Sequence, residues 1–145
     1  MMRWVLTVVA VTTACALAIP LATNDAPVIG ILTVPLDAEP SCVTIAQRLG
    51  RTSDASLSCA TAFYPKFVEG SGARAVWIPY NANHSVLDAL FNSINGILFT
   101  GGGVSLTFNS TYLQTAQYLF NKVLAANDAN DFFPLHGTCM GFQVR

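Results

Sequence analysis

Short apolar runs, separated by longer stretches of mixed polarity, constrain this chain most. Val28-Ile29-Gly30-Ile31-Leu32-Thr33-Val34 is almost continuously apolar and of strand length. Ala73 to Pro79, rich in Val76, Trp77 and Ile78, is a second such run, and Ile97-Leu98-Phe99 is a third. Runs without polar alternation fit strands buried on both faces, which is the environment of a parallel sheet.

The segments between them carry helical spacing. Ser56 to Ser71 places Ala60, Phe63, Phe67 and Val68 on one side. Pro65 lacks a backbone donor and crowds the carbonyl of Thr61, so a kink or a late start is expected there. Ser85 to Asn92 and Ser110 to Ala126 are further amphipathic stretches, and Asp131 to Leu135 approaches a fourth strand. Pro35 to Asp54 is polar and turn-rich and reads as a long loop. The resulting order, strand and helix in alternation, predicts an α/β fold: βαβ units in a parallel sheet with helices on both faces. Chemistry in such sheets gathers at the carboxyl ends of the strands.

The first residues read differently. Arg3 precedes an apolar stretch from Trp4 to Ile19, and Ala16-Leu17-Ala18 offers a small-residue exit. That is the layout of a secretory signal peptide over residues 1–22, cleaved near 18–22 and leaving a domain over 27–145; the alternative is an uncleaved membrane anchor, for which the run is a little short and lacks a following Lys/Arg cluster. Removing residues 1–18 leaves six basic and eight acidic residues. This balance gives no footprint for nucleic acid and no attraction to anionic membranes, so neither is expected as a partner. Sequons at Asn83 and Asn109 agree with export. Export places Cys42, Cys59 and Cys139 in an oxidising compartment. The simplest arrangement pairs Cys42 with Cys59 and leaves Cys139 free; sequence alone leaves the other pairings open.

Gly137-Thr138-Cys139-Met140-Gly141 is the sharpest chemical feature. A nucleophile on a tight turn after a strand needs strained backbone, and flanking glycines relieve the crowding. A helix starting near Met140 would favour thiolate at Cys139, and the Met140 amide would face a developing oxyanion. The plain alternative is a buried core cysteine beside packing glycines. Thr100-Gly101-Gly102-Gly103 closes the third strand and offers free N–H groups, although a lone glycine run is more often a flexible loop. Its spacing excludes a dinucleotide fingerprint. His136 lies three residues before Cys139 on extended backbone and reads as a pocket wall rather than a base. His84 reads as an exposed sequon residue. No His, Cys or carboxylate set has metal-ligand spacing, so no metal and no cofactor are expected.

Three segments together resemble the gamma-glutamyl hydrolase family, relatives of class I glutamine amidotransferases. They are Pro27-Val28-Ile29-Gly30-Ile31-Leu32; Ser58 through Val76, with Tyr64-Pro65-Lys66-Phe67-Val68-Glu69 and Gly72-Ala73-Arg74; and Ile94 through Gly103 followed by Phe133 through Phe142. The resemblance implies a flavodoxin-like, class I glutamine amidotransferase-like sheet. It implies cysteine-dependent cleavage of gamma-glutamyl bonds, chiefly in folyl-poly-gamma-glutamates, through an acyl-thioester on Cys139. Gly102, Gly103 and Met140 become the oxyanion site, and Gly30 borders the substrate. The location implied is outside the cell, or in a lysosome or vacuole, and a homodimer is open.

The family's base lies in a later W-H-P-E segment, which this sequence does not contain. The expectation is therefore a domain truncated after the nucleophile turn, inactive or nearly so by itself. Gln143 stands where such hydrolases carry Glu. The competing readings are a glutaminase domain of an amidotransferase and a non-catalytic secreted binding protein.

Overall fold

In the computed structural model, which describes residues 25–51 and 56–144, the first apolar run forms strand β1 (Val28–Leu32). The chain continues through β2 (Val34–Pro35), a 3-10 turn (Leu36–Ala38), α1 (Pro40–Arg48), β3 (Ser58–Cys59) and α2 (Phe63–Gly70). Then come β4 (Arg74–Ile78), α3 (His84–Phe91), β5 (Gly96–Phe99), α4 (Thr111–Asp128), β6 (Leu135–Gly137) and a second 3-10 turn (Cys139–Gln143). The signal-peptide expectation falls on residues 1–22, outside the described residues.

Four strands make one parallel sheet in the order β4-β1-β5-β6. Numbered along the chain within that sheet, the order is 2-1-3-4, as in a flavodoxin-like fold. The strand order reverses between β1 and β5, and the carboxyl ends at that point are where such sheets hold ligands. Side chains alternate across the sheet. Leu32, Ile97 and Phe99 pack on one face with Leu87 of α3 and with Tyr112, Leu113, Ala116, Leu119 and Val123 of α4. Ile31 and Leu98 pack on the other face with Val68 of α2. The helices thus cover both faces, as the periodicity predicts.

Local chemistry explains the element ends. The Asn83 side chain caps α3 by accepting the Val86 N–H at 3.0 Å, and Ser110 Oγ caps α4 by accepting from Leu113 at 3.4 Å. Pro65 occupies the third residue of α2, within the first turn, where its missing donor costs nothing. The expected late start is therefore found: α2 begins at Phe63, and Ser58–Cys59 is a short strand instead. Asn127 locks the approach to β6. Its side-chain amide donates to Val123 O and Phe133 O, both at 2.8 Å, and its Oδ1 accepts from Phe133 N–H. On the outer surface of α3 and α4, hydrogen bonds from Lys122 and Tyr118 hold the Asp88 carboxyl below its usual range.

One expectation is corrected. Residues 35–54 do not form a loop throughout: α1 occupies Pro40–Arg48. Pro40 at its start presets the helical φ, while only Cys42 and Ala46, four apart, are buried. Two small residues give too narrow an apolar stripe to announce a helix.

Cys42 in α1 and Cys59 in β3 form a disulfide, with Cα atoms 6.2 Å apart and a sequence separation of 17. β3 in turn pairs antiparallel with β2. The bridge fastens the segment after β1 beside the carboxyl edge of the sheet. Replacing both Cys42 and Cys59 by Ser should lower unfolding stability by about 3 kcal/mol, the loop-closure value for a ring of this size. Urea denaturation checks this; an unchanged midpoint would show that the bridge contributes nothing to the fold.

Candidate active site

Three backbone ends converge at the carboxyl edge. Thr100, just after β5, donates its hydroxyl to Leu32 O at 3.1 Å, tying β5 to β1. Thr33, just after β1, donates its hydroxyl to Ile78 O at 3.1 Å and accepts the Tyr80 N–H at 3.2 Å, tying β1 to β4. Thr138, just after β6, donates its N–H to Phe99 O at 3.0 Å. Thr33 and Thr100 are buried, so these bonds form where water does not compete.

Cys139 follows at once. Its φ is 53°, in the left-handed region, and its side chain is exposed. A non-glycine residue there costs on the order of 1–2 kcal/mol, so the surroundings must enforce it. The flanking glycines do so. A Cβ on Gly137 would lie 2.8 Å from Gly141 O and 2.9 Å from Phe142 N. A Cβ on Gly141 would collide with the Phe99 carbonyl, 2.7 Å from its carbon and 2.8 Å from Phe99 Cβ. Neither glycine has positive φ. They are required by close approach, and the left-handed position falls on the cysteine itself.

The glycine run lies beside the thiol. A Cβ built on Gly101 would be 3.2 Å from Cys139 Cβ and 3.0 Å from Tyr64 Oη. The Gly101 N–H donates to Tyr64 Oη at 2.7 Å, and the Gly103 N–H donates to Ala38 O at 2.9 Å. Gly103 is therefore not a free oxyanion donor, which corrects that expectation: its amide is spent on the segment after β1. The amides of Gly102 and Met140 donate to no group among the described residues. The Met140 side chain is buried, with Cε 3.9 Å from the point where a Gly102 Cβ would sit. Those two amides, beside the turn, are left without an acceptor among the described residues.

Gly30 does not border this edge. It is buried within β1, where the Cδ1 atoms of Ile78 and Ile94 close over its α-carbon, 2.5 and 2.7 Å from a Cβ built there. Its missing side chain serves packing. The helix expected from Met140 is, over the described residues, the five-residue 3-10 turn Cys139–Gln143. His136 is exposed on the α2 face of the sheet, its ring 6.1 Å from that of Phe67, and it does not fold back onto the thiol. His84 stacks on Tyr118 at 4.0 Å, against α4. Asn83 and Asn109 are both exposed. Among the described residues no group of three His, Cys, Asp or Glu side chains is placed to hold a metal, and no helix is long and apolar enough to cross a membrane.

Sequence reasoning missed two tyrosines. Tyr64 belonged to a quoted motif yet had no assigned role, because only the fold brings α2 over the glycine run. Tyr112 is 1% exposed and its hydroxyl has no hydrogen-bond partner among the described residues. Burial, with Tyr64 a lesser influence, pushes its phenol above the usual range.

Comparison with known proteins decides the family. Residues 27–144 match the family described as Peptidase C26. The chain belongs to the peptidase C26 family. This C26 chain is 41% identical over 120 residues to gamma-glutamyl hydrolase B of Dictyostelium discoideum, covering 83% of this chain and 31% of that protein. It is 45% identical over 82 residues to gamma-glutamyl hydrolase of Rattus norvegicus, covering 57% and 26%. It is 36% identical over 121 residues to gamma-glutamyl hydrolase 1 of Arabidopsis thaliana, covering 83% and 32%. The C26 chain thus spans about a third or less of the length of the curated relatives it matches.

The geometry makes Cys139 the accessible thiol of this C26 domain. Iodoacetamide added to the native, unreduced protein should alkylate Cys139 and leave Cys42 and Cys59 unmodified, read by peptide mass spectrometry. Modification of Cys139 only after unfolding would contradict the exposed turn.

Proposed function

We propose that this chain carries the nucleophile side of a gamma-glutamyl hydrolase site, acting on folyl-poly-gamma-glutamates. The observation that carries the reading is the exposed, left-handed Cys139 beside Gly101, in a family whose matched relatives are named gamma-glutamyl hydrolases.

In this reading the Cys139 sulfur, having lost its proton to a base, attacks the gamma-carbonyl carbon. A sulfur–carbon bond forms and the carbonyl electron pair moves onto oxygen. The Gly102 and Met140 amides receive that oxyanion; fixed donors of this kind contribute a few kcal/mol each in water-poor sites. Collapse breaks the carbon–nitrogen bond, and the departing glutamate amine takes up a proton. Water then attacks the thioester, restoring the thiol and releasing the shortened acid. Neither His84 nor His136 is held against the thiol, so the base is not one of them in the arrangement described. The same reading places the protein outside the cell or in a lysosome or vacuole. Its supports are the apolar leader over residues 1–22 and the exposed sequons at Asn83 and Asn109. A homodimer belongs to the proposal only as an assembly the family reading leaves open.

The placement of both described histidines away from Cys139 favours a second reading, a secreted protein that binds the polyglutamate without cutting it. One assay separates the two. On the hydrolase reading, whatever rate of glutamate release from a folyl-poly-gamma-glutamate the protein shows should fall by on the order of 10³-fold or more in Cys139→Ala. Binding without release by the wild type would support the second reading. Release that survives Cys139→Ala would remove the thiol from the mechanism.

A further inference from the structure

Three glycines in succession after β5 have more conformational freedom than any other tripeptide, yet an oxyanion donor must be aimed before the reaction begins. Something outside the run has to fix it. The structure shows two anchors. The Gly101 N–H belongs to the Thr100–Gly101 peptide plane and ends on Tyr64 Oη at 2.7 Å. The Gly103 N–H belongs to the Gly102–Gly103 plane and ends on Ala38 O at 2.9 Å. Between these two pinned planes lies the Gly101–Gly102 peptide, whose N–H is unengaged among the described residues. Gly102 has φ 147°, a conformation that side chains rarely adopt. Pinning the planes on either side leaves the middle one little freedom.

We propose that Tyr64 is a positioning residue for the nucleophile site: through its phenol oxygen it holds the glycine run beside Cys139 and aims the Gly102 N–H. The inference rests on the hydrolase reading of that site for its functional meaning. The contact itself stands independently of it. Tyr64 lies in the first turn of α2, at the carboxyl edge. It reaches there because Pro65 is compatible only with a start of the helix just before it. The phenol crosses 37 residues of sequence to Gly101. The oxygen and Cys139 Cβ lie within 3.0 and 3.2 Å of a single point, the place where a Gly101 side chain would be. A Gly101 side chain would therefore displace the tyrosine and the nucleophile together. Ala38 supplies the other anchor from its main chain, so Tyr64 is the anchor that substitution can remove.

Tyr64→Phe keeps the ring and deletes only the acceptor. Two readouts test the proposal on the intact chain. The first is hydrogen exchange at the Gly101 amide by NMR. It should quicken by about 10-fold or more in Tyr64→Phe, since the amide loses its partner; unchanged protection would overturn the proposal. The second compares two labels on the Cys139 peptide. Iodoacetamide needs only the thiol and should react within about twofold of the wild-type rate. The glutamine-mimicking diazoketone 6-diazo-5-oxo-L-norleucine must seat its ketone where the gamma-carbonyl sits. It should react about 10-fold more slowly with Tyr64→Phe, a smaller loss than deleting an oxyanion donor outright. Equal slowing of both labels would mean a general loss of structure and would overturn the positioning role. Equal retention of both would overturn it as well. If wild-type protein takes iodoacetamide but never the diazoketone, the hydrolase reading fails, and Gly101 exchange alone then decides whether Tyr64 holds the run.

Discussion

The turn after β6 rests directly on the end of β5, with no side chain between the two backbones. Gly141 faces the Phe99 carbonyl, and Gly137 faces the returning backbone at Gly141 and Phe142. A methyl group at either position has no room. This contact sets how sharply the chain turns, and that sharpness puts Cys139 at φ 53° with its side chain in solvent. A gentler turn would carry the sulfur away from the glycine run.

The rest of the fold prepares that meeting. Parallel pairing brings the carboxyl ends of β1, β5 and β6 to one edge. Buried threonine hydroxyls at Thr33 and Thr100 then fasten neighbouring strand ends where the ladder bonds stop. The segment after β1 is fastened in turn by the Cys42–Cys59 bridge and supplies the Ala38 carbonyl to Gly103. Each tie is modest, roughly 1 kcal/mol for a hydrogen bond. Together they turn three permissive glycines into a fixed arrangement of amides.

Much of this was legible in the sequence because it depends on local pattern. The apolar runs at 28–34, 73–79 and 97–99 gave strands within two residues of their ends, and Pro65 signalled the late start of α2. Cys139 between two glycines was readable for the same reason. What escaped was set by contacts distant in sequence. The helix at Pro40–Arg48 buries only Cys42 and Ala46, so its apolar stripe was too thin to see. Gly103 reads as a donor in sequence, whereas Ala38 O, 65 positions earlier, accepts its N–H. Gly30 looked like a site residue, whereas its missing side chain makes room for Ile78 and Ile94. Tyr64 sits 37 residues from the glycine it holds, a distance at which no spacing rule operates.

The account stands or falls on the crowding at Gly141, and an internal control exists for it. Gly70 ends α2 with nothing within 4 Å of where a Cβ would be. Denaturant unfolding of Gly141→Ala and Gly70→Ala therefore compares one methyl group in a filled place with one in an open place. The account predicts a loss of about 1–3 kcal/mol for Gly141→Ala and no loss, or a gain of up to about 1 kcal/mol, for Gly70→Ala. Equal stability of the two variants would contradict it, since the turn that presents Cys139 would then not depend on bare backbone contact.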